Sequence, residues 1–334
     1  QSYESLFFLL LYGFGRLITI LYFNDLKVKC IYYTYFTVTL IERYFMRSKA
    51  EILQVIEKSG GIITERDPHL CTLRLRIPGG IINPEELITI GKLLRKNEIG
   101  PLHLTTRQTI ELSHVDREKL PSLLTAFGRA GISLGAEHDE IVNITACPGT
   151  DRCRLANIAT RNLISSLDGK IFRKKMPIRV RIAISACPNG CTSERLSEIG
   201  ITGIREPIRN ETRCTGCGTC AHTCKENAII MINGRLTLDD EKCMKCGMCI
   251  DSCPFHLIGG SVPKYVITVG GRRGRHPQLG YELIQVTSEE TAVAVVNRVV
   301  DWIYRNAYNG KTLTSQLDAM NFDSFKRKIL SEFG

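Results

Sequence analysis

The chain has 334 residues, which is long enough for two or three domains with hydrophobic cores of their own. A hydrophobic content of 43% is ordinary for a soluble globular protein. The formal net charge of +10 raises nucleic acids and membrane surfaces as partners, unless bound anionic groups account for it.

Residues 1–45 form a hydrophobic leader of doubtful status. Arg16, Asp25, Lys27 and Lys29 interrupt it before the roughly 18–20 apolar residues that a membrane helix needs, so we predict no membrane span. It also lacks the basic start and the small-residue cleavage site of a signal peptide. Our interpretation is that Met46 is a plausible native start and the leader an over-extended reading of the gene. The alternative is a hydrophobic anchor or partner-binding segment.

Helices and strands are predicted to alternate between residues 50 and 131. Apolar periodicity indicates helices over 50–61, 83–97 and 117–131, the second capped by Asn83. Alternating patterns predict one strand over 69–80 and another over 101–113. The second strand would carry His103, Thr105 and Arg107 on one face. This order fits a small α+β unit.

The remainder of the chain adds a second strand-and-helix region. A helix is predicted directly after Cys153, over 152–167, and a strand over 177–187. That strand would place Arg179 and Arg181 on the face of Ser185 and Cys187. A strand and a Gly/Arg loop follow over 262–280, and helices are predicted over 291–307 and 315–330.

Twelve of the 14 cysteines fall into three sets of four, and only Cys30 and Cys71 lie outside them. The gaps within each set are too short for efficient disulfide pairing, so we interpret the sets as metal ligands in a reducing, cytoplasmic compartment. The first set is C-x5-C followed by C-x3-C; the other two are consecutive C-x2-C-x2-C-x3-C runs. The sets are Cys147, Cys153, Cys187 and Cys191; Cys214, Cys217, Cys220 and Cys224; and Cys243, Cys246, Cys249 and Cys253.

The two consecutive runs have the spacing of bacterial two-cluster ferredoxins, in which the fourth cysteine of each run binds the other cluster. This crossing assigns Cys253 to the Cys214, Cys217 and Cys220 cluster, and Cys224 to the Cys243, Cys246 and Cys249 cluster. The alternative, a pair of zinc knuckles without a redox role, is disfavoured by two copies of the iron–sulfur spacing.

The first cysteine set resembles the siroheme and 4Fe-4S signature of the sulfite and nitrite reductases. Three further stretches, LRLRIPGG, LTTRQ and GGRRGR, resemble motifs of that family in the same order. The resemblance implies that the four cysteines hold a cubane and that Cys191 also binds the siroheme iron. It places Arg76, Arg179 and Arg181 in the substrate pocket. It assigns siroheme binding to Thr105, Arg107, Asn189, Arg272, Arg273 and Arg275.

The resemblance covers about residues 49–334 and is strongest to the anaerobic, dissimilatory type of sulfite reductase. It implies an α+β fold with a ferredoxin-like siroheme reductase half-domain over 46–138. A siroheme and 4Fe-4S domain would comprise 139–210 and 261–334, interrupted by an inserted two-cluster ferredoxin domain over 211–260. Three 4Fe-4S clusters would offset roughly six of the ten net positive charges, and siroheme carboxylates the rest, so no nucleic-acid partner is expected.

The implied function is six-electron reduction of sulfite to sulfide, with electrons relayed through the insert from a flavoprotein or ferredoxin. A single half-domain implies at least a homodimer, or assembly with a similar subunit. Val142 stands where the family has a second pocket arginine, and Arg179 and Arg181 stand where it has lysines. These departures leave two alternatives: a reductase of nitrite or another oxyanion, or a non-catalytic siroheme and iron–sulfur electron-transfer protein.

Overall fold

The computed structural model describes residues 8–13, 16–21, 60–136, 139–209 and 214–334. The chain divides into two units, residues 1–58 and 59–334. In the first unit, β1 (Phe8–Gly13) pairs antiparallel with β2 (Arg16–Leu21). The rest of the leader, and most of the helix predicted over 50–61, lie outside the described residues. Within these ranges, no helix has the length and apolar character required to cross a bilayer.

The second unit begins with a four-stranded antiparallel sheet and two helices. The sheet order is β3-β4-β6-β5, formed by β3 (Ile62–Thr64), β4 (Leu70–Arg74), β5 (Leu102–Leu104) and β6 (Ile110–Asp116). The helices are α1 (Pro84–Lys96) and α2 (Leu120–Arg129). Asn83 caps α1 as predicted, in a reciprocal capping box with Glu86.

The single strand predicted over 101–113 is wrong, because this segment folds back as the β5–β6 hairpin. The turn lies at Thr105–Gln108, where Gln108 has a positive φ of 57°. The Thr105 hydroxyl accepts hydrogen bonds from the backbone N–H groups of Arg107 and Thr109, which closes the turn. His103, Thr105 and Arg107 therefore do not share a strand face.

A five-stranded mixed sheet carries the core of the second unit, in the order β15-β14-β9-β8-β7. Strands β7 (Thr145–Ala146), β8 (Ile182–Ser185) and β9 (Ile199–Ile204) run parallel, and β14 (Lys264–Val269) and β15 (Tyr281–Val286) are antiparallel. Helices α3 (Arg161–Ile171), α6 (Glu289–Asn306) and α7 (Phe322–Phe333) accompany the sheet. Leu167, Ile267 and Val299, each 0% exposed, belong to the shared core.

Two helix predictions in this region need correction. The helix expected directly after Cys153 begins only at Arg161, because residues 154–160 form turns. The helix predicted over 315–330 is divided into a 3-10 turn, Leu313–Gln316, and α7. Asn321, with a φ of 56°, adopts the left-handed conformation immediately before α7 and separates the two.

The insert leaves the sheet after β9 and returns before β14. Its two ends pair as β10 (Pro207–Arg209) and β13 (Ile258–Gly260), and a hairpin joins β11 (Ile229–Ile232) to β12 (Arg235–Leu238). Two one-turn helices, α4 (Thr219–Thr223) and α5 (Met248–Ser252), each follow a glycine with a φ of 78°. The internal duplication of the sequence is therefore also a duplication of local structure.

Two amide side chains fasten the first sheet to β7 and the residues just before it, which directly precede Cys147. The Gln108 amide donates to the carbonyl of Ala146 at 2.7 Å, and its oxygen accepts from the Ala146 N–H at 2.8 Å. The buried Asn143 donates to the Arg107 carbonyl at 3.0 Å and accepts from the Ile77 N–H at 3.3 Å. The LRLRIPGG and LTTRQ motifs are thus both tied to the segment that precedes Cys147.

Replacing Gln108 by methionine keeps the length of the side chain and removes both of its bonds to Ala146. We expect the free energy of unfolding to fall by about 2 kcal/mol, because two backbone groups lose their partners. Urea denaturation of Q108M would measure this, with Q285M as control because the half-buried Gln285 amide donates to the Glu282 side chain rather than to a backbone group. Equal midpoints for the two variants would contradict a fastening role for Gln108.

Candidate functional site

The first cysteine set lies at the carboxyl edge of two neighbouring parallel strands. Cys147 follows β7 directly, and Cys187 lies two residues beyond β8. The Cys147 sulfur accepts a hydrogen bond from the Ala186 N–H at 3.1 Å. Burial raises the pKa of Cys187, and the nearby Cys153 and Cys147 thiolates raise it further. The strand pairing therefore brings these cysteines together, with Cys191 exposed on the loop that follows.

The loop between Cys187 and Cys191 turns sharply at Gly190, whose φ is 62°. A Cβ at this position would lie 3.5 Å from a carboxylate oxygen of the buried Glu194, so the positive φ is the main demand for glycine. The Asn189 amide donates to the Cys187 sulfur at 3.5 Å. The short Pro-Asn-Gly spacer therefore makes a tight turn between Cys187 and Cys191.

The insert gathers its eight cysteines into two cavities that follow the predicted crossing. One cavity is lined by Cys214, Cys217, Cys220 and Cys253 together with apolar residues such as Met231 and Phe255. The other is lined by Cys224, Cys243, Cys246 and Cys249. Each cavity therefore holds three cysteines of one run and the fourth cysteine of the other. Burial raises the pKa of Cys249 to about 12, which binding to a metal would overcome by stabilising the thiolate.

These donor sets fit iron–sulfur cubanes. Thiolates are the characteristic ligands of such clusters, and in a cubane each thiolate binds a different iron atom. Tetrahedral zinc instead requires its ligands to converge on one ion at about 2.3 Å. No group of three or more Cys, His, Asp or Glu side chains in the described ranges is arranged to hold a single metal ion.

Five arginines from four of the stretches singled out in the sequence each lie within electrostatic range of at least one other. Burial lowers the pKa of Arg107, and the nearby positive charges of Arg74, Arg179 and Arg181 lower it further. Burial also lowers the pKa of Arg273, with a further contribution from Arg181. The mutual repulsion of these cations favours a bound anion, as the eight carboxylates of siroheme would supply.

Arg181 is held by a carboxylate that the sequence analysis did not identify. Its guanidinium donates to both carboxylate oxygens of Glu198, at 2.7 and 2.8 Å, and these hydrogen bonds raise the pKa of Arg181. Arg179 is exposed and lines the same groove as Arg181, a cavity of about 410 Å³. Lys311 and Asn309 from the loop after α6 line its other side. The groove therefore carries three cationic side chains beside the carboxylates of Asp139 and Glu198, and it is open to solvent.

The buried side chain of Gln316, which is 3% exposed, holds the loop that carries Lys311 through hydrogen bonds to its backbone. The Gln316 side chain accepts from the Tyr308 N–H at 2.6 Å and donates to the Lys311 carbonyl at 3.3 Å. Thr314 donates to the carbonyl of Gly270, which joins this loop to the Gly/Arg loop. The position of Lys311 beside the groove is thus set by the fold.

The other predicted binding residues have specific partners within the chain. Arg76 forms an ion pair with Asp168 on α3, and its guanidinium lies 3.8 Å from the centre of the Phe172 ring. Arg273 donates to the Thr192 carbonyl at 2.7 Å, so it supports the loop directly after Cys191. Arg272 donates to the His276 carbonyl, and Arg275 is exposed. Thr105 acts in the hairpin turn described above.

The departure at Val142 is an apolar substitution at a buried position. The Val142 side chain is 3% exposed, and its N–H donates to the Val180 carbonyl at 3.1 Å. Where the resemblance implies a pocket arginine, the chain therefore has a buried apolar side chain. Arg74 is the buried arginine of this region, and its guanidinium pairs with Glu111 at 2.5 Å.

Sequence reasoning missed several residues that shape the site. Gln108 and Asn143 carried a signal, since each lies within or beside a motif that was already singled out. Glu198, Asp168 and Lys311 carried none, because each reaches an arginine or a groove only through tertiary packing. A carboxylate beyond a cysteine loop or a lysine after a helix has no distinguishing local pattern.

Two parts of the chain match models of known reductase domains. Residues 137–334, more than half of the chain, match the nitrite and sulphite reductase 4Fe-4S domain. Residues 63–130 match the nitrite/sulfite reductase ferredoxin-like half domain. The resemblance stated from the motifs is thereby confirmed, as is the combination of these two parts in the fold.

Named relatives include sulfite reductases. The coenzyme F420-dependent sulfite reductase of Methanocaldococcus jannaschii is 31% identical over 170 residues, which cover 51% of this chain and 27% of that protein. One of the subunits of the anaerobic sulfite reductase of Salmonella typhimurium is 28% identical over 193 residues, which cover 52% of this chain and 54% of that protein. The chain therefore spans about half or less of the length of these two relatives.

A solved structure shares the fold. The crystal structure of dissimilatory sulfite reductase I superposes with a TM-score of 0.62 and 18% identity, covering 81% of this chain and 76% of that one. At this identity the similarity concerns the fold alone.

The two cavities predict which cysteine substitutions have the same effect. Cys253→Ser should abolish the same cluster as Cys217→Ser, and Cys224→Ser the same cluster as Cys246→Ser, because a cubane needs all four thiolates. Iron content and EPR spectra of the reduced, anaerobically purified variants would measure this. If C253S instead had the spectrum of C246S, each run would keep its own fourth cysteine.

Proposed function

Because the chain belongs to the nitrite and sulphite reductase family, we propose that it is the catalytic subunit of a siroheme-dependent sulfite reductase. The reaction is SO₃²⁻ + 6 e⁻ + 7 H⁺ → HS⁻ + 3 H₂O. When bound, siroheme and its coupled 4Fe-4S cluster supply the electron-rich metal centre at which the sulfur atom is reduced. The protein residues bind and orient the oxyanion, balance charge and deliver protons.

The observation that carries this proposal is the link between the Cys191 loop and the arginine group. Arg273 donates to the Thr192 carbonyl, one residue after Cys191, and lies within electrostatic range of Arg181. Arg107 lies within the same range of Arg179 and Arg181. An anionic tetrapyrrole bound through Cys191 would meet these positive charges, and bidentate guanidinium groups suit its carboxylates.

The groove between Arg179 and Lys311 is where we propose that the chain handles its oxyanion substrate. Arg179 and Arg181 would bind sulfite oxygens and stabilise charge as S–O bonds break. A guanidinium holds its proton too firmly to donate it, whereas a lysine side chain is the usual cationic proton donor. Lys311 would therefore supply the proton donor that an all-arginine strand lacks. Arg76 would contribute to the anion pocket, oriented by its pair with Asp168.

The insert is proposed to be a two-cluster ferredoxin domain that relays electrons to the Cys147, Cys153, Cys187 and Cys191 cluster. Its duplicated cysteine runs and its two four-cysteine cavities support this role. The electron donor would be a separate flavoprotein or ferredoxin. Residues 63–130 match the half-domain, and we also propose that a second copy or a similar chain completes the assembly.

A nitrite reductase is the second candidate. The buried Val142 and the pairing of Arg181 with Glu198 reduce the positive charge available to a dianion, which would favour the singly charged nitrite. A protein that keeps its cofactors without turnover is the third reading of the same departures.

The experiment that separates these functions uses anaerobic, siroheme-loaded protein and a reduced viologen donor. Sulfite should drive donor oxidation and produce sulfide, which a methylene-blue assay would quantify. Nitrite-driven oxidation with little sulfide would transfer the assignment to nitrite. If the protein has a siroheme spectrum but neither anion drives donor oxidation, the remaining hypothesis is a non-catalytic electron-transfer protein.

Arg179→Ala should raise the KM for sulfite by about tenfold to a hundredfold, since a charge-assisted hydrogen bond contributes about 1.5–3 kcal/mol. Arg179→Lys should recover part of this loss because it restores the charge. Steady-state kinetics of both variants, with the exposed Arg305→Ala as control, would test the role. An unchanged KM in R179A would remove the groove from the substrate site.

A further inference from the structure

One loop of the insert, residues 243–247, makes close backbone contact with the end of β9. The Arg205 N–H donates to the Lys245 carbonyl at 2.8 Å, and Arg205 forms an isolated parallel bridge with Cys246. Glu206 then pairs with Lys245 at 2.9 Å and with Lys264 at 3.3 Å. The loop that carries Cys243 and Cys246 is therefore held to the main sheet by both backbone and charge.

Asn157 joins this loop to the first cysteine set. It lies four residues after Cys153, and its N–H donates to the carbonyl of Ala186, the residue before Cys187, at 2.8 Å. Its side-chain amide donates to the carbonyls of Cys246, at 3.3 Å, and Gly203, at 3.4 Å. Its side-chain oxygen lies only 3.0 Å from where a Cβ on Gly247 would be. One half-buried residue thus contacts the backbone beside both cysteine sets.

The two cavities of the insert also differ in how close they lie to the first cysteine set. Pro188 and Asn189, from the loop between Cys187 and Cys191, line the cavity of Cys224, Cys243, Cys246 and Cys249. Asn189 also donates to the Cys187 sulfur. The residues lining the cavity of Cys214, Cys217, Cys220 and Cys253 all fall between 214 and 258, within the insert. The two halves of the duplication therefore have different neighbours.

We infer that Cys224, Cys243, Cys246 and Cys249 form the inner set of the insert, which adjoins the first set, Cys147, Cys153, Cys187 and Cys191. Asn157 is the positioning residue. The outer set of the insert is then Cys214, Cys217, Cys220 and Cys253. The inference rests on the proposed function, because it concerns the clusters that these sets would hold. Each transfer moves one electron, oxidising the cluster of the inner insert set and reducing that of the first set, with no bond made or broken.

The role of Asn157 is geometric. Electron transfer between metal centres slows steeply as the gap widens, so a loop free to move away would lower the rate. An amide at residue 157 satisfies two backbone carbonyls that belong to different parts of the fold. Alanine removes both bonds, and aspartate replaces the donor with an acceptor that would repel the same carbonyls.

The first test concerns which set is inner, and it uses frozen-solution EPR of dithionite-reduced protein without sulfite. Magnetic coupling between an insert cluster and the first-set cluster should persist in Cys217→Ser, which removes the outer set. It should vanish in Cys246→Ser. The reverse pattern would overturn the inference. Neither result depends on turnover, so a protein that fails to make sulfide could still satisfy it.

The second test concerns Asn157 and uses stopped-flow reduction by a reduced bacterial ferredoxin. Absorbance of the iron–sulfur clusters and of siroheme would be followed separately. In Asn157→Ala and Asn157→Asp, electron arrival at siroheme should be slower by about tenfold or more, with iron and siroheme contents unchanged. The exposed Asn306→Ala is the matched control. Wild-type rates and EPR coupling in N157A would show that Asn157 does not position the sets.

Discussion

The arrangement of the site depends on how the first sheet is attached to strand β7. The attachment uses amide side chains that bond backbone groups in pairs, Gln108 to Ala146 and Asn143 to Arg107 and Ile77. Apolar packing alone would tolerate small slips between the two sheets, whereas directional hydrogen bonds specify one position. Ala146 immediately precedes Cys147, so the arginine-bearing motifs and the first cysteine are set relative to each other by the same contacts.

This attachment concentrates positive charge in a region that the protein only partly neutralises. Arg74 and Arg181 have carboxylate partners in Glu111 and Glu198, and Arg76 has Asp168. Burial and neighbouring cations lower the pKa values of Arg107 and Arg273, against opposing contributions from Glu111 for Arg107 and from Glu198 and Glu194 for Arg273. The carboxylates thus orient selected guanidinium groups, while the remaining charge is suited to an anionic ligand.

The sequence was most informative where chemistry restricts spacing. The cysteine crossing required no tertiary information, because the spacing of the runs already implies it, and the cavities gather the same residues. The β5–β6 hairpin was missed because alternation continues through LTTRQT, where a threonine hydroxyl closes the turn in place of glycine or proline. The late start of α3 was missed because Asn157 is occupied by distant carbonyls, a demand that no local pattern reveals.

The duplicated insert shows how tertiary contacts give different roles to equivalent sequences. Gly218 and Gly247 have the same φ and begin equivalent short helices, so the two halves are locally alike. They differ in their surroundings: apart from adjacent parts of the chain, no described residue comes within 4 Å of the position of a Cβ on Gly218, whereas Asn157 approaches that of Gly247. Lys245, just before Cys246, pairs with Glu206 at the end of the main sheet, while the equivalent Gly216 has no side chain to do so. The asymmetry therefore arises from a few residue differences in the loop 243–247. Through these contacts, one of two locally equivalent cysteine sets lies beside the main sheet.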